Sequence, residues 1–379
     1  MTSITIVPVV SAAQQQQWLR LPWVVMGGDP VFVPPLLALE KRRISSRHSK
    51  FFEFGEVALF LALRDGHPVG RISAQVNHRA NQHHGQRAVH FGFFECVEDP
   101  EVAEALVAAV ASWGTARGLT ELVGPFNLSI NEECGVLVDG FDSPSAIMMP
   151  QGRPYYDGLL QRTGLTKAMD LVAFRMDVQA APPEVEHILE RVTPRVNLGV
   201  RLLNTKRLRQ EVDVIVDIFN DAWANNWGHV PMTEAEIDAL ADTLRLLLRP
   251  DSAAFVTLDG QDVAMMVALP DLNALTQDFD GRLTPLTIAR LIWRVKVARL
   301  PSARVVLFGV RQRFHNQRLG GLIIARLVGQ IRRAALQMGL DWIEFSWILE
   351  TNRPVIDLCT RLSGPPVKRY RLYHKPLVC

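Results

Sequence analysis

An internal repeat constrains the fold of this 379-residue chain more than any other feature. The segment 153–157, Arg-Pro-Tyr-Tyr-Asp, is matched by Arg-Pro-Val-Ile-Asp at 353–357. Upstream of each segment, two alternating apolar runs flank an Asp-Gly pair, at 65–66 and at 259–260, which predicts one β-hairpin in each copy. Repetition of a whole structural unit predicts two domains with the same fold.

Long helical patterns complete both copies. The patterns at 101–117 and 320–338 each stop just before a glycine, a common helix terminator, and a short apolar run follows each one. Each copy therefore contains helices, a hairpin, and then alternating strands and helices, which predicts an α/β fold with mixed sheets flanked by helices. We assign residues 1–180 to the first domain and 185–379 to the second, with a Pro-rich linker at 180–183.

Composition and cysteine usage exclude several classes of protein. Apolar residues make up 48% of the chain, yet no apolar run is long enough for a membrane-spanning helix. The four cysteines are scattered, which favours a reducing compartment over a disulfide framework. The first residues lack the basic start and long apolar core of a signal peptide. These features predict a cytoplasmic protein.

Positive charge is concentrated in the second copy. The chain carries 41 Lys and Arg against 39 Asp and Glu, but residues 281–340 hold twelve cations and no acidic residue. Such a segment raises the positive potential where an anionic ligand would bind. A phosphate-bearing cosubstrate and an anionic membrane surface are the main candidate partners. Nucleic acid is not expected, because no recognised binding motif or aromatic platform accompanies the charge.

The cationic segment contains a strand and a glycine-opened helix. The run 303–310 predicts the strand, and Gly320 and Gly321 begin the helix. A helix N-terminus presents unpaired N–H groups and partial positive charge, so it suits an anion such as pyrophosphate, and small residues let the phosphate approach the backbone. The alternative interpretation is that the two glycines only permit a tight turn.

This strand, loop and helix resemble the GNAT acyltransferase fold, whose pyrophosphate motif is Q/R-x-x-G-x-G/A. Gln317 and Gly320 match the motif, whereas Leu322 departs from its last small position. A second family pattern, N-x-x-x-I-x-L-Y, is matched at 352–358, but Cys359 replaces the tyrosine that often protonates the leaving thiolate. The resemblance assigns acyl-CoA binding to Phe308, Gly309, Val310, Arg313, Gln317, Arg318, Leu319, Gly320, Gly321 and Asn352.

Longer stretches resemble one bacterial family of double-GNAT N-acyltransferases over nearly the whole chain. They include FGFFE at 91–95, GPFNLSINEECGVLVDGFDSP at 124–144, AWANNWGHVPMTEAE at 222–236 and EFSWILETN at 344–352. That family includes bacterial ceramide synthases, which acylate the amine of a sphingoid base from an acyl thioester. The resemblance implies a degenerate first copy that shapes the acceptor site and a second copy that binds acyl-CoA. It also implies a long-chain amine lipid as acceptor.

Acyl transfer to an amine requires a base, because a free alkylammonium titrates near ~10. A period-two pattern from 342 to 352 places four polar residues on one face: Glu344, Ser346, Glu350 and Asn352. Glu344 and Glu350 are the candidate bases, Ser346 would line the same cleft, and Asn352 would orient the pantetheine arm or the substrate amide. A solvated sheet face, or a buried salt bridge to the Arg-rich helix, is the alternative interpretation.

Two other segments are candidate acceptor contacts. Asp271 and Asn273 follow an apolar strand, and a carboxylate beside an amide could hold an ammonium and a hydroxyl; an Asx turn is the alternative. Asn226 and Trp227 follow an early helix, where a GNAT acceptor site usually receives a loop, and His229 is a further candidate base. Packing in the core is the alternative for the aromatic residues.

The run 285–300, PLTIARLIWRVKVARL, is a basic amphipathic pattern that predicts either membrane contact or core packing. The histidines within 78–90 lack metal-ligand spacing, so no metal is expected. We therefore expect a tandem-GNAT N-acyltransferase, peripheral at the cytoplasmic side of the inner membrane, that acts by direct base-assisted transfer. An acyl-carrier protein thioester is an alternative donor. Another acceptor (an amino acid, polyamine or peptide) and a non-catalytic acyl-thioester sensor are the alternative functions.

Overall fold

The chain folds as two compact units. The computed structural model describes residues 3–179, 197–238, 249–315 and 317–377, so the linker expected at 180–183 lies outside the described residues. Unit 1 consists of Met1–Leu171, Thr276–Ala289 and Lys368–Cys379, and unit 2 of Val172–Leu275 and Arg290–Val367. The compact units are therefore not linear halves of the chain. The assignment of residues 1–180 and 185–379 to two domains stays a prediction.

The strands and helices include the predicted order of helices, hairpin, strand, helix, strand, helix and strand in each copy, together with further elements, among them a strand before the first helix of each copy, that the patterns did not predict. In chain order they are β1 Ile4–Pro8, α1 Ala12–Met26, α2 Leu37–Arg43, β2 Gly55–Arg64, β3 His67–Asn77, α3 His78–His84, β4 Ala88–Cys96, α4 Pro100–Thr115, β5 Glu121–Gly124, β6 Val136–Asp139, α5 Tyr156–Arg162, β7 Thr166–Asp177, β8 Leu198–Leu202, α6 Leu208–Trp223, β9 Ala253–Leu258, β10 Gln261–Pro270, α7 Leu272–Thr276, α8 Pro285–Lys296, β11 Ser302–Val310, α9 Arg318–Met338, β12 Trp342–Leu349, α10 Arg353–Ser363 and β13 Lys368–Pro376. Strands β1–β6 and β13 belong to unit 1 and β8–β12 to unit 2, while β7 begins in unit 1 and ends in unit 2.

Both predicted hairpins are confirmed. β2 and β3 are antiparallel and joined at Asp65 and Gly66, whose φ angles are 51° and 80°. β9 and β10 are antiparallel and joined at Asp259 and Gly260, whose φ angles are 51° and 81°. Positive φ at both turn positions is the geometry that Asp-Gly favours, because glycine has no Cβ and Asp tolerates the left-handed region.

Each unit contains a mixed sheet. In unit 1 the strand order is β1-β2-β3-β4-β5-β13, and β6 also pairs with β13. β4 and β5 are parallel, whereas β13 is antiparallel to β5. In unit 2 the order is β12-β11-β10-β9-β8, with the parallel pair β11–β12 next to antiparallel pairs. Helix α4 packs on the first sheet, and helices α6 and α9 pack on the second. The predicted fold class is confirmed.

Helix α4 supplies much of the core of unit 1. The Asp99 side chain caps its start by accepting the Glu101 N–H at 2.9 Å. Val102, Leu106 and Val110 recur at helical spacing and are fully buried. The helix therefore forms because a capped start is followed by one continuous apolar face.

Close packing at Gly114 in α4 gives a stability prediction. A Cβ at Gly114 would come within 2.6 Å of Val89 Cγ1 on β4, whereas a Cβ at Gly158 in α5 would meet nothing within 4 Å. Alanine improves helix propensity by about 1 kcal/mol at either site, so the two substitutions differ in packing. We expect Gly158→Ala to raise the free energy of unfolding and Gly114→Ala to lower it by about 1–3 kcal/mol. Urea unfolding followed by circular dichroism measures both, and equal effects would contradict this packing.

Candidate active site

Two parallel strands of unit 2 separate part-way along their length. β11 and β12 pair over four positions, the last of which joins Val305 to Phe345. β11 then continues to Val310 and stays paired there with β10 on its other edge. The next residues of β11 are half-buried: Val306, Leu307 and Phe308. Beyond Val305 and Phe345 the two strands are no longer paired, and we refer to this unpaired stretch, 306–310 of β11 facing the end of β12, as the opening between β11 and β12.

The N-terminus of α9 follows β11 after a short turn. Position 320 requires a glycine, because a Cβ there would collide with the Phe314 carbonyl oxygen. A Cβ at Gly321 would meet nothing within 4 Å. The first turn of α9 contains no acidic residue, and Arg318 is exposed. The first N–H groups of a helix have no intrahelical partner, and Gly321 leaves open space beside them. This arrangement is suited to an anion such as phosphate.

Helix α6 holds the loop that leads from β11 to α9. The Asp221 carboxylate accepts the Gln312 N–H at 2.8 Å, and the Trp223 indole donates to the Phe308 carbonyl at 2.9 Å. A Cβ at Gly309 would lie 3.2 Å from the Ala222 Cβ, so only a small residue lets the helix approach the strand this closely. The residues predicted to bind acyl-CoA at 308–310, 313 and 317–321 thus lie at the end of β11, in the turn after it and at the start of α9, and their role stays a prediction.

Three buried side chains form a hydrogen-bonded chain beside this opening. Arg304 on β11 donates from Nε to Ser346 Oγ at 2.8 Å, and the Ser346 hydroxyl donates to Glu344 Oε1 at 2.7 Å. All three residues are less than one tenth exposed, and Arg304 and Glu344 are register partners on the parallel strands. Arg304 on β11 therefore reaches Glu344 through Ser346, and the alternative interpretation, a buried salt bridge to the Arg-rich helix, stays a prediction.

The polar face predicted to reach residue 352 ends earlier, because β12 stops at Leu349. Glu350 lies in the turn that follows, and Asn352 is the N-cap residue of α10. A turn breaks the period of two, so Glu350 and Asn352 do not continue the row formed by Glu344 and Ser346. The expected continuous strand face is wrong beyond Leu349, and the roles of Glu350 and Asn352 stay predictions.

Asp271 forms an Asx turn at the end of β10. Its carboxylate accepts the Asn273 N–H at 3.2 Å and the Ser302 hydroxyl at 3.4 Å. Its own N–H donates to the Ser302 carbonyl at 3.0 Å, and the residue is buried. The Asx-turn interpretation is therefore confirmed as local structure. Binding of an ammonium and a hydroxyl by Asp271 and Asn273 stays a prediction.

The turn after α6 gathers the remaining candidates for acceptor contact. The His229 N–H donates to the Asn226 carbonyl at 3.1 Å, and Asn226 and Trp227 are half-buried. The His229 ring is buried, with its centroid 5.4 Å from that of Phe219 on α6. The structure thus brings Asn226, Trp227 and His229 into one turn, with His229 packed in the core. Their contact with an acceptor stays a prediction.

Unit 1 fills the equivalent opening with its own chain. β4 and β5 pair in parallel over three positions, and the loop after β5 then takes over. The Phe126 N–H donates to the Phe91 carbonyl at 2.7 Å, and Asn127 Oδ1 accepts the Phe93 N–H at 2.6 Å. A Cβ at Gly92 would collide with the Phe126 carbonyl oxygen, so the loop lies directly against β4. The edge of β4 beyond its pairing with β5 is therefore bonded to the following loop, whereas the corresponding edge of β11 in unit 2 is not paired with β12.

Sequence reasoning missed a charged cluster in unit 1. Two arginines and four glutamates form it: Arg43, Arg71, Glu40, Glu95, Glu132 and Glu133. The Arg43 guanidinium lies 2.6 Å from Glu132 and 3.2 Å from Glu133. Burial raises the pKa of Glu40, Glu95 and Glu132. Arg43 and Glu132 are 89 residues apart in the chain, so no short motif could have revealed the cluster.

None of the described helices is both long and apolar enough to cross a membrane. The described residues contain no group of three or more His, Cys, Asp or Glu side chains that could hold a metal ion. Of the histidines at 78–90, three lie on α3, and His90 lies on β4, where burial lowers its pKa to about 4.

The fold places the chain in a known class of protein. A tandem GNAT protein from the clavulanic acid biosynthesis pathway has a TM-score of 0.61 and 12% identity, covering 100% of this chain and 99% of that chain. A GCN5-related N-acetyltransferase from Sphaerobacter thermophilus has a TM-score of 0.52 and 11% identity, covering 99% of this chain and 96% of that chain. The architecture is therefore that of a tandem GNAT protein.

Sequence similarity then gives the family. The bacterial ceramide synthase of Caulobacter vibrioides is 36% identical over 377 residues, which cover 99% of this chain and 98% of that protein. Protein YghO of Escherichia coli is 35% identical over 352 residues, which cover 92% of this chain and 89% of that protein. No family model matches the chain. The chain belongs to the family of these two proteins, as the resemblance predicted, and family and fold together define a GNAT-type acyltransferase.

The charged cluster of unit 1 gives a pH-dependent prediction. Replacing Arg43 by Met removes the cation shared by Glu40, Glu132 and Glu133, so we expect a loss of about 3 kcal/mol in unfolding free energy near neutral pH. Because burial already raises the pKa of Glu40 and Glu132, these groups become neutral as the pH falls through their raised values, and the loss should shrink.

Denaturant unfolding of the wild type and Arg43→Met at neutral and mildly acidic pH measures this effect. Lys50→Met is the matched control, because the ion pair of Lys50 with Glu53 is largely exposed and should contribute little at either pH. A loss for Arg43→Met that stays the same across this pH range would contradict the electrostatic account.

Proposed function

We propose that this protein transfers a long-chain acyl group from acyl-CoA to the amine of a sphingoid base. The observation that carries the proposal is the end of pairing between β11 and β12, together with the glycine-opened N-terminus of α9 that follows β11 after a short turn. The amides of a pantetheine arm can bond to the strand edge that the separation leaves accessible, and a helix N-terminus suits pyrophosphate. In unit 1 the loop after β5 occupies the equivalent place.

The residues at the start of α9 fit the phosphates of CoA. Arg313 and Arg318 are exposed cations, and the residues from 281 to 340 include no carboxylate that would repel an anion. Gly321 leaves room for a phosphate against the backbone. Phe308, Gly309 and Val310 would border the pantetheine arm, and Gln317 and Leu319 would flank the phosphates. A carrier-protein thioester offers the same arm and would use the same opening.

Direct transfer needs no protein nucleophile. The acceptor nitrogen attacks the thioester carbonyl carbon, a C–N bond forms and the C–S bond breaks, giving an amide and a free thiol. Starting from the ammonium, two protons leave the nitrogen: one ends on the thiol sulfur and the other is released to solvent. The carbonyl oxygen becomes negative during attack, and a backbone N–H of β11 beyond Val305 is suited to stabilise it.

Glu344 is the carboxylate best suited to accept a proton from the amine. It lies on β12 immediately before Phe345, where the pairing with β11 ends. Ser346 donates to its Oε1, and Arg304 fixes the serine oxygen in turn, so the carboxylate has a defined orientation. Glu350, on the following turn, and His229, packed against Phe219, are the other candidate bases. Sequence patterns alone suggest that the acceptor contacts Asn226, Trp227, Asp271 and Asn273.

Cys359, which stands where the family has its tyrosine, is poorly suited to protonate the leaving thiolate. It is buried in α10, and burial raises the pKa of its thiol to about 12. The thiol formed on transfer titrates near ~8.5, so its thiolate is a weaker base than the Cys359 thiolate and cannot readily take the proton. We infer that the thiolate is protonated by water or by the group that deprotonated the amine.

The acceptor assignment is supported by the similarity to the ceramide synthase of Caulobacter vibrioides over nearly the whole chain. It is tested by incubating the purified protein with palmitoyl-CoA and sphinganine in detergent micelles, with measurement of thiol release and product mass. A product with the mass of a ceramide would support the proposal. Saturable binding of palmitoyl-CoA without an amide product would overturn it in favour of another acceptor or of an acyl-thioester sensor.

Neighbouring glycines in α9 provide a test of the phosphate site. Alanine at Gly321 enters the open space that a phosphate would use, so we expect palmitoyl-CoA to bind at least about tenfold more weakly. The stability of Gly321→Ala should be unchanged or higher by up to about 1 kcal/mol. Gly320→Ala should lose both stability and binding, because its Cβ would collide with Phe314. Calorimetric titration and thermal unfolding measure these effects, and wild-type affinity in Gly321→Ala would contradict the site.

Paired substitutions test Glu344 as the base. Glu344→Gln keeps an oxygen that can accept from Ser346 but cannot take a proton, so we expect kcat to fall about 100-fold with little change in acyl-CoA affinity. Activity should recover partly as the pH rises towards ~10, where the amine is neutral without a base. Glu350→Gln, on the turn after β12, is the matched control and should change kcat less than about threefold. The reverse order of effects would contradict the assignment.

A further inference from the structure

Helix α8 has two apolar faces, and only one of them packs against the protein. Its buried residue is Val295, whereas Leu286, Trp293 and Val297 are 78%, 55% and 70% exposed. The helical turn continues to Val297, whose N–H donates to the Trp293 carbonyl at 2.8 Å. At about 100° per residue, Leu286, Trp293 and Val297 lie within about 40° of one another and opposite Val295. The exposed apolar stripe therefore points away from the body of the protein.

This concentration of exposed apolar side chains is unusual for the chain. Eleven large apolar side chains are exposed among the described residues, and five of them lie within 286–297. Leu286, Trp293 and Val297 form the stripe, whereas Ile288 and Ile292, 43% and 45% exposed, lie within about 60° of Val295 on the other side of the helix. Single exposed apolar residues are normal on a protein surface, whereas a contiguous patch marks an interaction site. The stripe on α8 is therefore a candidate interaction surface.

The charges along α8 identify the chemistry of that partner. Arg290 and Lys296 are exposed and lie on either side of the apolar stripe, and the residues from 281 to 340 include no acid. Arg294 instead anchors the helix by donating to the Leu275 carbonyl at 2.5 Å. A helix with exposed Trp and aliphatic side chains between cations is complementary to a surface whose interior is apolar and whose outer layer is anionic.

We propose that α8 docks this protein onto an anionic phospholipid membrane. Trp293, Leu286 and Val297 enter the boundary between headgroups and acyl chains, and Arg290 and Lys296 contact lipid phosphates. The inference is independent of the proposed transfer reaction, since it uses no residue of the β11–β12 opening or of the start of α9. An acidic protein is the competing partner, but it would leave the aliphatic stripe without an apolar layer to enter.

Co-sedimentation of the full-length protein with vesicles tests the proposal. We expect binding to phosphatidylcholine vesicles that contain about one third phosphatidylglycerol, weak binding to pure phosphatidylcholine, and loss of binding at high salt. The triple variant Leu286→Ser, Trp293→Ser, Val297→Ser should bind at least about tenfold more weakly. The double variant Arg290→Gln, Lys296→Gln should lose about fivefold for each charge removed.

Matched controls separate docking from general surface effects. Val10→Ser with Val24→Ser removes apolar side chains that are 84% and 58% exposed elsewhere, and Lys206→Gln with Arg207→Gln removes exposed cations outside α8. Both controls should bind vesicles like the wild type. Transfer activity in detergent micelles should be unchanged in the α8 variants, so failure of docking and failure of the transfer reaction are distinguishable.

Three results would overturn the proposal. The first is wild-type vesicle binding by the α8 apolar variant, and the second is equal binding to anionic and neutral vesicles. The third is α8-dependent binding to purified acyl-carrier protein without binding to vesicles, which would assign the surface to an acidic protein instead. Loss of vesicle binding in the α8 variants, with wild-type binding in the control variants, would support docking to the membrane.

Discussion

The end of pairing between β11 and β12 is the feature on which the candidate site depends. Parallel strands that stay paired satisfy each other's backbone groups, whereas a pair that stops after Val305 and Phe345 leaves donors and acceptors for a ligand. β10 holds β11 on its other edge, and Trp223 of α6 holds the Phe308 carbonyl near the strand end. The opening is therefore framed by regular elements, which is the arrangement that positions a substrate arm with little reorganisation.

The two units use the same order of elements in different ways. In unit 1, Phe126 and Asn127 bond to β4 where unit 2 is open. Asp99 caps α4 and forms an ion pair with Arg64, so its carboxylate occupies the helix N-terminus that would otherwise attract an anion. Unit 1 instead gathers half-buried glutamates around Arg43. These differences support the proposal that unit 2, and not unit 1, binds an anionic cosubstrate.

Local features of the sequence were sufficient to predict much of the fold. The Asp-Gly hairpins and the helix that ends at Gly339 depend on residues close together in the chain, and each was found where predicted. The end of β12 at Leu349 was missed because polar residues continue the period of two into the following turn. Periodicity reports the spacing of side chains and does not report where hydrogen bonding between strands stops.

Contacts between distant residues were beyond the reach of sequence patterns. Arg304 and Ser346 are 42 residues apart, so no local pattern indicated that Arg304 bonds to the serine that donates to Glu344. The cluster around Arg43 joins segments that are 89 residues apart. The position of β13 in unit 1 likewise depends on its pairing with β5, which no local motif encodes.

The central claim is that unit 2 alone holds the acyl thioester, between β11 and β12. It is tested most directly by hydrogen exchange of the full chain with and without a non-reactive thioether analogue of palmitoyl-CoA, together with calorimetric stoichiometry. The account predicts one site per chain and slower exchange at 306–310 and at the start of α9, with β4, β5 and the loop at 125–127 unchanged. Two sites per chain, or protection in unit 1 in place of unit 2, would contradict it.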